Sequence, residues 1–474
     1  MDTVKVSVVI PAFKQAEYLE QAITSVLCQT HRNVEAIVVD DASPDDTASV
    51  VRSVSDKRLK YLRHNENQGL GASRNTGYRA SEGEIVAFLD ADDYFHPEKI
   101  AAHVTLLTNR PDVGVSYNSR FELNHSRTSV RELFRAPTSC ALDDLVMGFP
   151  FAPSDMVVRR DWFERVGLFD ERLIHFSEDL DINCRLALAG CSFAGVDRGL
   201  NYRRYHSRRH FMIRERRAAA IDVLERVFAD PRCPASVRGR RDEALARHSM
   251  VWAFYAFVQG DGDAGTRFLR FAVKLDPSYL LGEPTRLTQE MLDNTIADAS
   301  VDHEGVLTQI LTQFPPELCW LQRDWDWARG QGYLRRGLRT ALWASAEDAT
   351  EDLRRAKRLR ALADESFVQF GTYQLLNLDH ECGGRAARTG LERLRAEFSA
   401  VGDRTTARQL EASYHVNRAF QSHRNGRWAD ALADVGRAVV RRPRYATDRG
   451  VVAMTVRSIV TGCRPGRRSD ACRL

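Results

Sequence analysis

The chain has 474 residues, 43% hydrophobic and 28% charged, with a formal net charge of +4. That length exceeds one ordinary domain, and the balance is that of a globular chain with apolar cores, not a disordered one. A net charge so close to zero supplies no global attraction to a polyanion, so no nucleic-acid partner is expected.

No stretch offers the roughly 18 uninterrupted apolar residues of a membrane span. The first residues, MDTVKVSVVIPAF, carry Lys5 inside a short apolar run and lack a basic leader, so they do not read as a signal peptide. Nine cysteines are scattered without paired CxxC spacing. Free thiols in a reducing cytoplasm are expected, and no structural zinc site.

Residues 5–118 alternate short apolar strands with amphipathic helices. VSVVIPAF reads as a buried strand ending at Pro11, after which Tyr18, Leu19, Ile23, Val26 and Leu27 recur at helical spacing. VEAIVVDD is the second strand. Ser43 and Pro44 are expected to open the next helix, as N-cap and first residue. LKYLRH is a third strand, LGASRNTGYRAS a helix, EIVAFLDADD a strand, Pro97 to about Leu107 a helix, and VGVSYNS a strand. This repetition predicts an α/β fold with a mostly parallel sheet flanked by helices. Ligands of such sheets bind beyond the carboxyl ends of the strands, where Asp40–Asp41 and Asp90–Asp92–Asp93 fall.

From about Val146 to Tyr205 the pattern loosens around one helix, SEDLDINCRLALAG, and a basic stretch runs from about Arg198 to Arg241. Beyond it the chain reads as helix almost throughout. Residues 246–280 and 412–446 resemble each other: helix, glycine turn (Gly260, Gly426), second helix, then Pro277 or Pro443. This looks like tetratricopeptide-type hairpins. The expected organisation is a catalytic domain over residues 1–215, an all-α region over 216–462 and a disordered tail over 463–474.

Three acidic clusters carry the chemistry. Asp40 and Asp41 exceed what a helix cap requires, and a carboxylate there can accept the imide N–H of uracil or ribose hydroxyls. Asp90, Asp92 and Asp93 crowd like charges that a cation would neutralise, and Mg²⁺ or Mn²⁺ prefers few carboxylates with positions left for phosphate oxygens. Glu178 and Asp179 open a helix, where the dipole favours them. Asp179 can also serve as the base that takes a hydroxyl proton. Arg74, after the turn at Gly69 and Gly71, reads either as a salt-bridge partner of Asp40 or Asp41 or as a contact to a donor base or diphosphate.

The blocks VSVVIPAFKQAEYLEQAITSVLCQT, VEAIVVDDASPDDT, NQGLGASRNTGYRAS, GEIVAFLDADD, RRDWFERVGLFDERL and SEDLDINCRLALAG, within residues 4–206, together resemble the family 2 glycosyltransferases of GT-A fold. The resemblance implies inverting transfer of a hexosyl or N-acetylhexosaminyl group from a nucleotide-sugar, a UDP-sugar foremost, to a hydroxyl of a glycan or lipid-linked acceptor, as in polysaccharide biosynthesis. It implies that Pro11, Ala12 and Phe13 line the base and that Asp40 or Asp41 binds uracil or ribose. Asp90 and Asp92 would be the DxD pair, Asp92 ligating Mn²⁺ or Mg²⁺ with Asp93 nearby, and Asp179 beside Glu178 the base. LNYRRYHSRRH resembles the family's Tyr-Arg-x-His segment, with a doubled Arg and an inserted Tyr205, and would bring His206 to the metal or diphosphate.

The QxxRW motif of processive members is absent, which implies a non-processive enzyme. A nucleotidyltransferase would need a Gly-rich loop after the first strand, where the chain reads PAFKQAEY. A decayed head serving as a scaffold through the helical half is the remaining alternative. The basic residues of Arg203–Arg217 read as a solvated helix face, or alternatively as a contact to anionic lipid or a lipid-diphosphate acceptor at the inner membrane face. The helical half is expected to bind acceptor, a protein partner or a second copy.

Overall fold

A computed structural model of the chain describes residues 4–123, 130–148, 151–173, 177–204, 214–296, 302–344 and 346–462. The chain divides into two compact units, Met1–Asn294 with Ser300–Gln322, and Thr295–Ala299 with Arg323–Leu474.

The first unit is built on a mixed sheet of β1 (Val6–Ala12), β2 (Val34–Asp40), β3 (Leu59–Arg63), β4 (Ile85–Phe88), β5 (Tyr94–Phe95), β6 (Val113–Leu123), β7 (Val130–Phe134), β8 (Ser139–Cys140), β9 (Val157–Arg159) and β10 (Ser192–Arg203). The order is β3-β2-β1-β4-β9-β6-β10-β5, with β7 on β6 and β8 on β10. β3, β2, β1 and β4 are parallel, β9 runs antiparallel to both its neighbours, and β10 returns parallel to β6. The α/β architecture expected from the alternating pattern is therefore present, followed by an all-helical region.

β1 and β2 are buried along their whole length. Apolar runs without polar alternation require exactly such a position, covered on both faces. Val8, Ile10 and Val38 face a core closed by α1 (Ala16–Leu27), α2 (Thr47–Ser53) and, beyond α3 (Leu70–Arg79), by α4 (Lys99–Asn109). Val9, Ile37 and Val39 face the opposite core, built with α5 (Leu142–Met147), α6 (Arg160–Val166) and α7 (Glu178–Leu188). That second core runs past residue 215. Ala220, Leu224 and Phe228 of α8 (Arg214–Ala229), Val237 of α9 (Ala235–Arg238) and Leu245 of α10 (Arg241–Val258) belong to it.

The first unit continues through α11 (Gly262–Leu275), α12 (Arg286–Thr295) and α13 (His303–Thr312). The second unit is helical: α14 (Trp325–Trp343), α15 (Ala346–Arg358), α16 (Glu365–Ala400), α17 (Arg404–Arg424), α18 (Trp428–Arg441) and α19 (Arg449–Gly462). The two mutually similar segments fold as the hairpins α10–α11 and α17–α18, turning at Gly260 (φ 77°) and Gly426 (φ 71°). Each is followed by a 3₁₀ turn opened by Pro277 or Pro443.

One local expectation fails. Ser43 does not cap α2, which starts only at Thr47 with Asp46 before it. Ala42 takes a left-handed φ of 55°, which redirects the chain, and the Ser43 hydroxyl instead accepts the Lys14 N–H and donates to Asp45. Among the described residues no helix is long and apolar enough to cross a membrane, and seven cysteines are free thiols. The tail at 463–474 lies outside the described residues.

α3 lies on β1 so closely that a Cβ at Gly77 would sit 2.2 Å from Val9 Cγ1. Alanine favours a helix interior over glycine by about 1 kcal/mol. Overpacking a dense core costs about 1–3 kcal/mol, and Val9 is too short a side chain to yield. Gly77→Ala is therefore expected to lower the melting temperature of the first unit in calorimetry; an unchanged or higher value would show that helix propensity wins.

Candidate functional site

Each acidic cluster stands at the carboxyl end of a strand or the head of a helix. Asp40 is the last residue of β2, paired in register with Arg63 at the end of β3. Its carboxylate is buried and accepts from the Ser43 N–H at 2.7 Å, the Tyr61 hydroxyl at 2.6 Å and Arg63 at 2.5 Å. Asp41 turns the other way. It accepts the N–H groups of Gln68 and Gly69, both at 2.8 Å, and is hydrogen-bonded to His64 Nδ1 at 2.7 Å. The other His64 nitrogen reaches Thr76 of α3 at 2.9 Å. A carboxylate offers about four acceptor positions, and each of these two buried aspartates already carries three donors.

Pro11 and Ala12 end β1, Ala12 lying opposite Asp40 in register. Phe13 follows as one of the exposed large hydrophobic residues, with Lys14 Nζ 5.0 Å from its ring centre. An exposed apolar ring thus follows directly on the Ala12–Asp40 pair.

Arg74 of α3 is fully buried, and it pairs with neither Asp40 nor Asp41. It donates to Glu178 at 2.5 Å and to Asp90 at 3.0 Å, with its guanidinium carbon 5.5 Å from the centre of the Phe169 ring. The second and third acidic clusters are joined through this one side chain. The next residue, Asn75, exchanges hydrogen bonds with the Phe169 backbone, its amide donating at 2.9 Å and its carbonyl accepting at 3.0 Å. α3 therefore touches all three clusters: Asp41 at its entry, and Asp90 and Glu178 through Arg74.

One oxygen from each of Asp90, Asp92 and Asp93 lies within 4.8 Å of the others. An all-carboxylate oxygen set of this size fits a hard divalent cation such as Mg²⁺ or Mn²⁺, and charges so close favour a cation between them. Asp93 is held by the Arg204 N–H at 3.1 Å and the Ser154 hydroxyl at 3.3 Å. The Arg204 guanidinium bonds the Asp92 carbonyl and Gln21, between the rings of Tyr18 and Tyr94 at 5.1 and 4.8 Å.

Asp179 is half-buried, between the buried Glu178 and Leu180. Loss of hydration and the neighbouring Glu178 carboxylate push its pKa up to about 7, while Arg74 pulls less strongly the other way. The residue before Glu178, Ser177, has a φ of 71°, outside the conformations non-glycine residues prefer.

Tyr61, Arg63, His64, Ser154 and Arg204 were not singled out from sequence. For Arg63 and His64 a signal existed, since Arg63 ends the third strand, beside the one that ends in Asp40, and His64 follows it. Ser154 and Arg204 come close to the acidic loop only through the fold; Arg204, expected on a solvated helix face with the rest of Arg203–Arg217, is instead buried against Asp92 and Asp93. His206 lies outside the described residues, as do most side chains of Arg203–Arg217.

Residues 7–201 match glycosyl transferase family 2. That span holds all three acidic clusters. An uncharacterized glycosyltransferase of Rickettsia prowazekii is 31% identical over 183 residues, 37% of this chain and 57% of the relative. An uncharacterized glycosyltransferase of a Nostoc species is 39% identical over 116 residues, 24% of this chain and 36% of the relative. The chain thus spans about half or less of these relatives' lengths. Among solved structures, S. aureus TarS aligns with a TM-score of 0.42 at 18% identity, over 75% of this chain and 55% of that one.

Within the family 2 span, Arg74 is the joint to test. Removing one partner of a buried pair costs about 3–5 kcal/mol, because the other charge is left uncompensated. Arg74→Met is expected to lose that much in denaturant unfolding, and adding Glu178→Met should restore part of it. Simple additivity of the two costs would show that the pair is uncoupled.

Proposed function

We propose that the first unit is the catalytic head of a glycosyltransferase that moves a sugar from a nucleotide-sugar donor to an acceptor hydroxyl. The observation that carries this reading is the convergence, through Arg74, of the Asp90–Asp93 loop and the Glu178–Asp179 helix start, within a span matching glycosyl transferase family 2. The catalytic chemistry is assigned to residues 1–215, with the helices of 216–462 in a supporting role.

Phe13, with Pro11 and Ala12 behind it, offers a face for the donor base, and Asp40 and Asp41 lie beside it to accept from uracil or ribose. Asp92, with Asp90 and Asp93, would hold Mn²⁺ or Mg²⁺. Such an ion supplies positive charge for the leaving diphosphate. Arg74 serves the donor indirectly, by fixing the Asp90 carboxylate. Asp179 takes the proton of the acceptor hydroxyl as that oxygen bonds to the anomeric carbon and the diphosphate leaves on the opposite side, which inverts the centre. A UDP-linked hexose or N-acetylhexosamine is the proposed donor, and transfer is non-processive. Each of the hairpins α10–α11 and α17–α18, in its own unit, is suited to binding an acceptor or protein partner, as tetratricopeptide-like hairpins are.

The test is transfer and hydrolysis across UDP-, GDP- and dTDP-sugars with Mn²⁺. Asp92→Asn and Asp179→Asn should each lower kcat by about 10²–10⁴-fold at unchanged melting temperature. Full activity in either variant, or in excess chelator, would overturn the reading. A scaffold without catalysis would show no donor turnover at all.

The pH profile tests the base separately. Asp179 accepts a proton only when ionised, and its carboxyl is raised from the ordinary value to about 7. The rate constant kcat/KM should therefore rise with pH through a limb well above the ordinary carboxylate range and level off above it. Asp179→Asn should lack that limb; a limb that persists in this variant would assign the base elsewhere.

A further inference from the structure

Ser154 lies in a single 3₁₀ turn, Pro153–Asp155, and is almost wholly buried. A buried hydroxyl carries one proton to give and lone pairs to receive, and both capacities are used on the same acidic loop. Its oxygen accepts the Asp90 N–H at 3.0 Å, and its proton goes to Asp93 Oδ2 at 3.3 Å. The loop closes on itself between these two points, the Asp93 N–H donating to the Asp90 carbonyl at 2.9 Å. Ser154 thus grips the acidic loop at both ends, at the backbone of its first carboxylate residue and at the side chain of its last.

The grip is useful only if Ser154 is itself immobile. The next residue, Asp155, is fully buried, its carboxylate accepting the Ala152 N–H at 2.6 Å and Arg120 at 2.8 Å. Lys99, also fully buried, donates to the Asp155 carbonyl at 3.2 Å. Two buried basic side chains, from β6 and α4, therefore fix the turn from behind. Charged groups are rarely taken out of water without such pairing. The turn is pinned to the sheet on one side and presents a single hydroxyl to the acidic loop on the other.

We propose that Ser154 is a positioning residue for divalent-cation binding: it orients the Asp93 carboxylate and sets the loop that spaces Asp90 from Asp92 and Asp93. It touches neither the ion nor the substrate and acts only through these aspartates. The inference rests on the reading of that triad as the cation site. Partners that orient ligating carboxylates typically change metal affinity by about 10–100-fold when removed.

Mn²⁺ is titrated into the full chain, alone and with UDP, and followed by water-proton relaxation, beside the melting temperature of the metal-free protein. Ser154→Ala should weaken Mn²⁺ binding by at least about tenfold, and Ser154→Thr, which keeps the hydroxyl, should recover most of that loss. Ser154→Cys, close in size but a poor donor, should behave as the alanine variant and stands in for it if the latter does not fold. A purely structural role would lower the metal-free melting temperature and leave the Mn²⁺ affinity of the folded protein unchanged, which overturns the inference. If the unaltered protein binds no Mn²⁺ in either condition, the cation reading of the triad falls and this inference falls with it.

Discussion

The site depends on one buried cation. Placing the Arg74 guanidinium inside the first unit strips it of water, a penalty of several kcal/mol that only well-formed ion pairs offset. The fold supplies them from two directions, Asp90 behind β4 and Glu178 at the head of α7. Arg74 therefore fixes the distance between two segments of chain that would otherwise repel. The helix that carries it has little freedom of its own. Gly77 presses α3 onto Val9, Asn75 ties it to Phe169, and Asp41 holds its entry at Gln68 and Gly69. Gly69 there adopts a φ of 91°, a conformation that costs glycine little.

Backbone strain marks the same places. Among the described residues, four non-glycine residues have positive φ: Lys14, Ala42, Ser177 and Arg360. The first three directly follow or precede candidate site residues, after Phe13, after Asp41 and before Glu178. Each such conformation costs about 1–2 kcal/mol, and alanine has no side chain with which to recover it. The surroundings enforce the geometry: the Lys14 N–H is taken by Ser43, and the Asp41 N–H by Ala12. Strain held in this way keeps the ends of β1 and β2 in one arrangement.

The strands and the placement of the acidic residues were legible because a central parallel sheet writes itself into sequence as unbroken apolar runs, and carboxylates stop those runs where the strands end. The partners of Arg74 were not legible. They lie 16 and 104 residues away in the chain, whereas its place after the turn at Gly69 and Gly71 pointed to Asp40 or Asp41, or to a donor's base or diphosphate. Local chemistry misled at Ser43 too, since its cap signature is sound but the left-handed turn at Ala42 carries it past the helix. The change to helical pattern near residue 215 marks a change of element, not of core: α8 to α10 add their apolar residues to the same core, α8 packing on α7 and α10 on α5. Periodicity reports what an element buries, and it is silent about which surface receives it.

The acidic residues of the site are chemically alike and electrostatically different, and the arginines make the difference. One guanidinium, that of Arg74, faces Glu178, Asp90 and Asp179. It donates directly to the first two, which are thereby compensated. Among the described residues Asp179 receives only the N–H of its own neighbour, Leu180, at 2.8 Å, and feels Arg74 at a distance while Glu178 and Asp90 oppose its ionisation. Burial is the largest cause and lifts its carboxyl towards neutrality. A proton acceptor working near pH 7 is most effective when its own pKa lies close by. In the proposed reaction, then, Asp179 is the base for two reasons: burial raises its carboxyl most, and of the carboxylates around Arg74 it is the one the guanidinium does not bond. Replacing Glu178 by glutamine would remove the nearest negative charge and lower the Asp179 pKa, moving the acid limb of kcat/KM to lower pH without removing the base.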